Sequence, residues 1–394
     1  MIRNAIKVLV ILISFTASSC KDVPNKSSGI DNISVDSLLN IRFQKYLDYD
    51  VDSLAFPRSY NSTTNKIFKV ASKDWTSGFY PGNLWQLYNL TGDEAFKTKA
   101  IEWTTIMEKE KTNGGTHDMG FKMYCSFGEG YEVTGNEKYK EVIIESATKL
   151  ATRFNEKVGS LRSWDFNSDI WEFPVIIDNM MNLELLFEAT RISGDSTFHK
   201  IAIKHANTTL KNHFREDNSS VHVVVYDSIS GKVKDKVTHQ GFNDDSAWAR
   251  GQAWGIYGFT MCYRYTKNPL YFEQAVKSAA FYLNNANLPD DGIPYWDFND
   301  PEIPNVVKDV SAATITASAL VELSSYTNDN SYEDYADKVF KTLKSEEYIL
   351  SSEIEAPFIL DHSTGNWPKK DEMDVPIVYG DYYFLELMLR NKKI

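Results

Sequence analysis

Cysteine and histidine are scarce in this sequence, and positive charge is in deficit. The 394 residues include 3 Cys and 7 His, with no CxxC, no HExxH and no His cluster at metal-ligand spacing. We therefore expect no metal and no other cofactor. The formal net charge of −12 disfavours nucleic acid as the main partner, because phosphates are bound by basic surfaces. It does not exclude a small anionic substrate, since a site can be basic locally.

Long apolar runs are also rare, and a clear one lies near the start of the chain. The run VLVILISF follows Arg3 and Lys7 and precedes small residues that end at Cys20. It is too short for a membrane-spanning helix, and its setting is typical of a secretory signal with a lipobox. We expect cleavage before Cys20, lipidation of Cys20 and anchoring in a bacterial cell envelope, on the periplasmic or the outer-membrane surface. An ordinary signal peptide with an incidental cysteine is the alternative.

The domain organisation follows from this segment and from the composition after it. Residues 1–20 are the predicted signal, 21–33 a predicted polar tether, and 34–394 a single predicted domain. Hydrophobic residues make up 42% and charged residues 24% of the sequence, as in soluble globular proteins. Aromatic residues make up 13%, which suits either a packed helical core or a site that stacks on sugar rings.

A short recurring motif predicts repeated helical hairpins. LTGDEAF at Leu90, VTGNEKY at Val133 and ISGDSTF at Ile192 share a glycine, an Asp or Asn and an aromatic residue, and weaker copies begin at Tyr265 and Tyr326. Glycine in the left-handed conformation ends a helix, and the Asp or Asn after it caps the next helix. We therefore expect each copy to join two helices, with its aromatic residue packed across the turn.

The helices predicted on the two sides of each motif differ in character. Those before it are apolar all round, and those after it are amphipathic, which indicates buried inner helices and outer helices with one face in water. Six runs are of the inner kind: Gly78–Leu90, Met119–Val133, Val175–Ile192, Ala247–Tyr265, Ser311–Tyr326 and Val378–Arg390. A helix over Val35–Leu47 supplies the sixth outer partner. Six pairs that bury one another's faces predict an all-α fold, an (α/α)6 toroid or barrel of six helical hairpins.

One segment departs from the helical pattern. Ser220–His239 alternates apolar and polar residues around a Ser-Gly-Lys turn, which predicts a small inserted β-hairpin. Long excursions between helices are often functional. Cys125 and Cys262 lie in apolar helical runs, so we expect buried free thiols; a disulfide between them is the alternative.

Polar residues collect at the starts of the predicted inner helices. Because the inner helices of such a ring run in one direction, their N-terminal ends meet at one mouth. The residues concerned are Asp74, Trp75, His117, Asp118, Asp178, Asp244, Asp245, Trp248, Arg250, Asp309, Asp374 and Tyr379. Each also has a structural interpretation, such as an Asp that caps a helix or an Arg250 that pairs with one of residues 244–245. The hypothesis of a site therefore depends on the convergence and not on one residue.

Asp178 is the hardest of these residues to explain as structural. It lies in PVIIDNMMNLELL between Ile177 and Met180, where an ionised carboxylate is costly. Apolar neighbours and a second carboxylate nearby would raise its pKa and make it a proton donor near neutral pH. Together with aromatic rings and an arginine, this predicts a glycan-active enzyme with an acidic pair.

The same motifs resemble those of glycoside hydrolase family 88, the unsaturated glucuronyl hydrolases. The matching stretches are DWTSGFYPGNLW, HDMGF, IIDNMMNLELL, THQGFNDDSAWARGQAWGIYGF, GIPYWDF with KDVSAA, and VYGDYYFLELMLR. They follow the family's order over nearly all of the chain after the predicted signal. The resemblance implies an (α/α)6 barrel, in agreement with the helix count. It also implies a glycosidase for lyase-generated glycosaminoglycan oligosaccharides, which carry a 4,5-unsaturated uronic acid at the non-reducing end.

The resemblance further implies hydration of the C4=C5 vinyl ether. Asp178 is implied as the general acid and base, which donates a proton to C4 and helps a water to add at C5. The resulting hemiketal opens and the glycosidic bond breaks. Asp118 matches the second essential carboxylate of the family, which holds sugar hydroxyls, tunes Asp178 or stabilises positive charge.

A set of substrate-binding residues is implied in the same way. Trp75 and Trp254 are implied to stack on sugar rings, and Arg250 to bind the anionic sugar. Lys236 replaces a small residue found at that place in some of the family. The full implied set is Trp75, His222, Lys236, Thr238, Gln240, Trp248, Arg250 and Trp254.

Three other functions stay open on the residues alone. A conventional inverting glycosidase on the same ring requires two carboxylates on opposite faces of the bond, with room for a water. A non-catalytic glycan-binding lipoprotein requires the aromatic residues but no essential acid. A polysaccharide lyase requires a Tyr or His base beside a group that neutralises the uronate. The preferred disaccharide and the oligomeric state are not indicated by the sequence.

Overall fold

The computed structural model describes residues 35–391, and helices dominate it. In chain order the helices are α1 (Val35–Lys45), α2 (Phe79–Thr91), α3 (Glu94–Met107), α4 (Glu129–Thr134), α5 (Glu137–Ala151), α6 (Asn179–Ser193), α7 (Ser196–Asn212), α8 (Ala249–Thr266), α9 (Pro269–Leu283), α10 (Val310–Ser324), α11 (Ser331–Leu343) and α12 (Val378–Asn391). A π-helical stretch, Gly120–Gly128, runs directly into α4. Short 3-10 turns lie at Glu108–Thr112 and Trp367–Lys369.

The even-numbered helices form a closed inner ring. The π-helical stretch before α4 packs on α2 and on α6, which packs on α8; α10 packs on α8 and on α12, and α12 returns to α2. The odd-numbered helices from α3 onward each pack outside an inner helix. Directly after α1, the Tyr46 hydroxyl donates to Asp381 of α12 and the Tyr46 carbonyl accepts from Tyr80 of α2, which closes the outer layer. The predicted (α/α)6 barrel is confirmed.

The recurring motif forms the joints between inner and outer helices, as predicted. In its three clearest copies the glycine takes a φ of +63° to +78°, which favours glycine over any residue with a Cβ. The Asp or Asn that follows accepts a hydrogen bond from the backbone N–H two residues on and so caps the outer helix. The glycine and cap pairs are Gly92 and Asp93, Gly135 and Asn136, and Gly194 and Asp195.

Short strands connect the helices on the described part of the chain. β1 (Phe56–Asn61) pairs with β2 (Lys66–Val70), and β3 (Phe154–Asn155) with β4 (Ser160–Leu161). β5 (Phe173–Ile176), β6 (Val223–Tyr226) and β7 (Val233–Val237) form one antiparallel sheet in that order. The predicted β-hairpin is confirmed as β6 and β7. The helix predicted from Val175 begins later, because Val175 and Ile176 pair with β6 instead.

The structure also shows whether the two cysteines of the folded domain form a disulfide. Cys125 and Cys262 are buried and free, so the predicted thiols are confirmed and the disulfide alternative is wrong. Within residues 35–391, no helix combines the length and the apolar character needed to cross a bilayer. The predicted signal, the tether and the proposed lipidation site at Cys20 lie outside the described residues.

Candidate active site

A cleft of about 600 Å³ lies where the inner helices begin. Seven of the residues predicted for the site line it: Trp75, His117, Asp118, Asp178, Gln240, Arg250 and Tyr379. Trp75 precedes α2, Asp118 precedes the π-helical stretch, and Asp178 and Arg250 stand at the starts of α6 and α8. The ring therefore brings together residues that are far apart in the sequence, as its geometry predicts.

Asp178 occupies the N-cap position of α6, yet its side chain caps no backbone N–H. The residue is 9% exposed, and its Oδ2 has no hydrogen-bond partner among the residues described. Burial raises the pKa of Asp178 to about 6, against the lowering effects of His117 and Arg250. Asp178 thus lines the cleft with a carboxyl group whose buried oxygen has no hydrogen-bond partner among the described residues and whose pKa lies near 6.

Asp118 has the opposite electrostatic environment. His117 Nε2 lies 3.1 Å from its Oδ1, and the Thr116 hydroxyl donates to its Oδ2 at 2.6 Å. Burial alone would raise the pKa of Asp118, but His117, Thr116 and Lys122 outweigh it and lower the pKa. Two carboxyl groups whose pKa values are shifted apart are the pattern expected of an acid and an ionised partner.

Close packing of two inner helices fixes these carboxyl groups relative to each other. A Cβ on Gly120 would lie 2.6 Å from the Cα of Asn182, so only glycine permits this approach. The backbone N–H of Phe121 donates to Asn182 Oδ1 at 3.1 Å. Asp118 and Asp178 stand just before these two segments, and π-helical turns of this kind are frequent at functional sites.

His222, implied as a substrate contact, lies next to Asp178 and outside the described lining of the cleft. Its Nε2 is 3.7 Å from Asp178 Oδ2. Its Nδ1 accepts the backbone N–H groups of His239 and Gln240 at 3.0 and 3.2 Å. Nε2 therefore carries the proton and faces Asp178, and burial keeps the pKa of His222 well below its usual value. The position is that of a residue that supports the acid.

Arg250 lines the cleft, but protein groups hold its guanidinium. Nη1 lies 2.7 Å from Asp309 Oδ2, and both side chains are fully buried. The two Nη groups also donate to the carbonyl oxygens of Thr364 and Gly365. The pairing with residues 244–245 considered from the sequence is wrong, because α10 presents its N-cap carboxylate directly to the arginine.

Besides His222, four of the implied binding residues do not line the cleft. Trp254 is fully buried against Phe121 in the core, so its implied stacking on sugar is wrong. Trp248 is also buried, and Arg250 lies 4.6 Å from the centroid of its ring. Lys236 is exposed on β7, while the Thr238 hydroxyl accepts the N–H of Gly241 and holds the turn.

Other residues line the cleft that the helical pattern did not indicate. Trp164 and Phe166 stack with ring centroids 4.9 Å apart, beside His239. Arg58 is the extra residue of a β-bulge in β1, a feature that often redirects a side chain near an active site. Lys369 reaches from the loop before α12 to His239 Nε2 at 3.2 Å. All five lie outside the α-helices; for Trp164 and Phe166 the aromatic stretch SWDFNSDIW was the signal available in the sequence.

Comparisons with known proteins agree with this geometry. The family model described as Glycosyl Hydrolase Family 88 matches residues 54–346. A protein of Formosa agariphila named unsaturated glucuronyl hydrolase is 58% identical over 390 residues, which cover 98% of each chain.

Solved structures of the same kind superpose on the fold. The crystal structure of an unsaturated glucuronyl hydrolase specific for heparin has a TM-score of 0.88 and 42% identity, over 91% of this chain and 97% of that one. The unsaturated glucuronyl hydrolase of Bacillus sp. GL1, responsible for the degradation of glycosaminoglycan, has a TM-score of 0.84 and 30% identity, over 92% and 96%. The chain therefore belongs to Glycosyl Hydrolase Family 88, among the glycosidases known as unsaturated glucuronyl hydrolases.

Proposed function

We propose that this enzyme removes the 4,5-unsaturated uronic acid from the non-reducing end of lyase-generated glycosaminoglycan oligosaccharides by hydrating the C4=C5 vinyl ether. The observation that carries the mechanism is the environment of Asp178, a buried carboxyl that lines the cleft and has a pKa raised to about 6. The similarity to enzymes specific for heparin and responsible for glycosaminoglycan degradation supports the substrate class.

Asp178 begins the reaction protonated. It donates its proton to C4, and the electrons of the double bond form the new C–H bond, which leaves positive charge shared by C5 and the ring oxygen. A water adds at C5 and returns a proton to the Asp178 carboxylate, so the acid is regenerated. The hemiketal opens, and the glycosidic bond breaks with release of the remaining saccharide.

Asp118 serves this reaction as an ionised group. Its lowered pKa keeps it negative while Asp178 is protonated. A fixed negative charge in a largely buried site stabilises the positive charge that develops at C5. His117 and Thr116 hold the carboxylate in place by their contacts to its two oxygens.

Lys369 is the cation best placed for the anionic substrate. Arg58 is paired with Glu372 at 2.7 Å and Arg250 with Asp309 at 2.7 Å. Among the described residues, Lys369 has no carboxylate within 4.0 Å, although it lines the same cleft. Trp75 and Trp164 are partly exposed and line the same cleft, and we assign to them the stacking on sugar rings.

The experiment follows the ultraviolet absorbance of the vinyl ether. The protein from Lys21 onward is incubated with unsaturated disaccharides from heparin, chondroitin and hyaluronan lyase digests. Wild type is expected to remove the absorbance, Asp178→Asn is not, and Asp235→Asn serves as a control on an exposed carboxylate. Release of saturated sugars from saturated glycans would support an inverting glycosidase instead, and binding without turnover by wild type would support a glycan-binding protein.

We also propose that the chain is exported and anchored by lipid at Cys20. The support is the order of Arg3, Lys7, the apolar run and the small residues before Cys20. Metabolic labelling with palmitate tests this proposal. We expect the full chain to carry the label and the Cys20→Ala variant to lose it. An unlabelled wild-type protein would support the alternative, an ordinary signal peptide without a lipid anchor. Protease accessibility in intact cells then distinguishes a periplasmic from an outer-surface location.

A further inference from the structure

A second pocket lies beside the catalytic cleft and shares a chain segment with it. The pocket has a volume of about 370 Å³ and is lined by Arg153, Arg162 and Asp165 among others. Residues 163–166 line the cleft, so Asp165 borders both spaces. An oligosaccharide that extends out of the cleft past this segment meets the second pocket next.

The frame of the pocket is built by Arg153. Its Nε donates to the carbonyl oxygen of Arg162 at 2.7 Å, and Nη1 donates to that of Gly114 at 2.8 Å. Both Nη groups contact the carboxylate of Asp165 at 3.0 Å. Arg153 therefore uses four of its five N–H donors on protein groups, and it holds the segment that separates the pocket from the cleft.

Each carboxylate of the pocket has its own partner. Asp165 is bound by Arg153 through two hydrogen bonds. Glu172 accepts the N–H and hydroxyl of Ser228 and lies 2.9 Å from Lys234 Nζ. These hydrogen bonds, first of all the Ser228 hydroxyl, lower the pKa of Glu172 to about 2.

Arg162 is the less engaged of the two arginines, because it shares its ion-pair partner Asp165 with Arg153. Its Nε is buried and forms no hydrogen bond with the residues described; the nearest carboxylate oxygen, on Asp165, is 3.4 Å away. No described residue is bonded to its Nη groups, and the side chain is 27% exposed. A guanidinium with unused donors in a polar pocket matches the two oxygens of a sulfate or a carboxylate.

We propose that Arg162 forms a second anion-binding subsite, which takes a sulfate or carboxylate group carried by the oligosaccharide beyond the reacting uronate. This inference rests on the proposed function and adds to it a residue that determines substrate choice. It predicts that the enzyme favours substrates with a second anionic group over the simplest unsaturated disaccharide.

Kinetics with three substrates test the subsite. They are an unsulfated unsaturated disaccharide, its sulfated form, and an unsulfated tetrasaccharide that carries a second uronate. Arg162→Gln is expected to raise KM about tenfold for substrates with the second anion, as for one lost charge-assisted hydrogen bond. The kcat values, and the KM for the unsulfated disaccharide, should stay unchanged. Arg162→Lys should fall between, because lysine keeps the charge but lacks the planar fork. A KM raised for the sulfated disaccharide identifies sulfate as the group that the subsite binds, and a KM raised for the tetrasaccharide identifies carboxylate.

Lys157→Gln is the matched control, since Lys157 is exposed near the same turn and lines neither space. Thermal unfolding confirms that each variant is folded. An equal change of KM for all three substrates, or no change, would overturn the subsite while the proposed function stands. If wild type turns over none of them, the proposed function fails. Calorimetric binding to wild type and Arg162→Gln then decides the subsite: a loss confined to ligands with the second anion supports it, and equal binding overturns it.

Discussion

His222 Nε2 and Asp178 Oδ2 face each other at 3.7 Å, and neither atom forms a hydrogen bond with the residues described. Buried polar atoms without partners are rare, and each one costs stability. Here the two atoms are complementary, because backbone N–H groups at Nδ1 place the histidine proton on Nε2. A shift of less than an ångström, on the order of ordinary side-chain motion, would join them when Asp178 ionises.

Replacement of His222 by Phe tests this relationship. Without the Nε2 donor the ionised form of Asp178 loses a partner, so its pKa should rise and the alkaline limb of the pH–rate profile should move to higher pH. We expect kcat to fall about tenfold to a hundredfold, as for a charge-assisted hydrogen bond. A raised KM with an unchanged profile would instead make His222 a substrate contact, as the family resemblance implies.

The pH dependence of wild type follows from the two carboxyl groups. Asp178 acts protonated, and its pKa is about 6, so kcat/KM should decline as pH rises through about 6. Asp118 acts ionised, and its pKa is lowered, so activity should persist at pH values below the ordinary pKa of an Asp side chain. Initial rates from pH 3 to 9, roughly spanning both groups, measure the two limbs. A rate that stays constant through pH 8 would contradict this assignment.

Asp178→Asn should separate activity from stability. We expect turnover to fall by about 10² to 10⁴, the usual contribution of a general acid and base. The folded-state pKa of Asp178 lies above the unfolded value, so its contribution to stability is present below pH 3.8 and is lost as pH rises through about 6. The amide avoids that loss, and urea unfolding at alkaline pH should show a variant at least as stable as wild type. A less stable variant would indicate a structural role for the carboxylate.

Lys369→Gln tests the proposed cation of the cleft. Removal of its charge should raise KM for the anionic substrate about tenfold with little effect on kcat, because the contact is made in both ground and transition states. Lys370→Gln is a matched control, since that side chain lies 3.8 Å over the Trp367 ring and lines no part of the cleft. Equal effects of the two substitutions would show only a change in overall charge.

The fold could be predicted because its signals are local and repeated. The glycine and cap pairs, such as Gly92 with Asp93, require only backbone geometry within a few residues. The all-apolar inner runs leave no water-facing side, so they must be enclosed by a ring of partners. The predicted start of the third inner run, at Val175, is wrong because the apolar signal is ambiguous over a few residues. Val175 and Ile176 are buried as β5, and a short apolar run does not distinguish a strand from a helix.

The site could be predicted only where helix starts supply it. Asp118 and Asp178 were found because the ring gathers those positions at one mouth. Within α8 the residue type alone does not indicate depth in the ring, and Trp254, one turn after Arg250, is buried in the core and not at the mouth. Arg58 and Lys369 come from a strand bulge and a loop, whose directions depend on distant contacts such as the pair of Arg58 with Glu372. No sequence period encodes such contacts.

Glu129 gives a prediction about stability away from the chemistry. It lines a cavity of about 140 Å³ and accepts hydrogen bonds from Tyr382 and Gln86, while burial raises its pKa to about 7. The folded state holds this proton where the unfolded state has lost it, so wild type should lose stability as pH rises from about 4.5 to about 7. Glu129→Gln should be more stable than wild type by on the order of 3 kcal/mol above this range and equal to it below. Urea unfolding at the two ends of the range measures the difference, and an equal loss in both proteins would show that other groups, such as Asp381, control the titration.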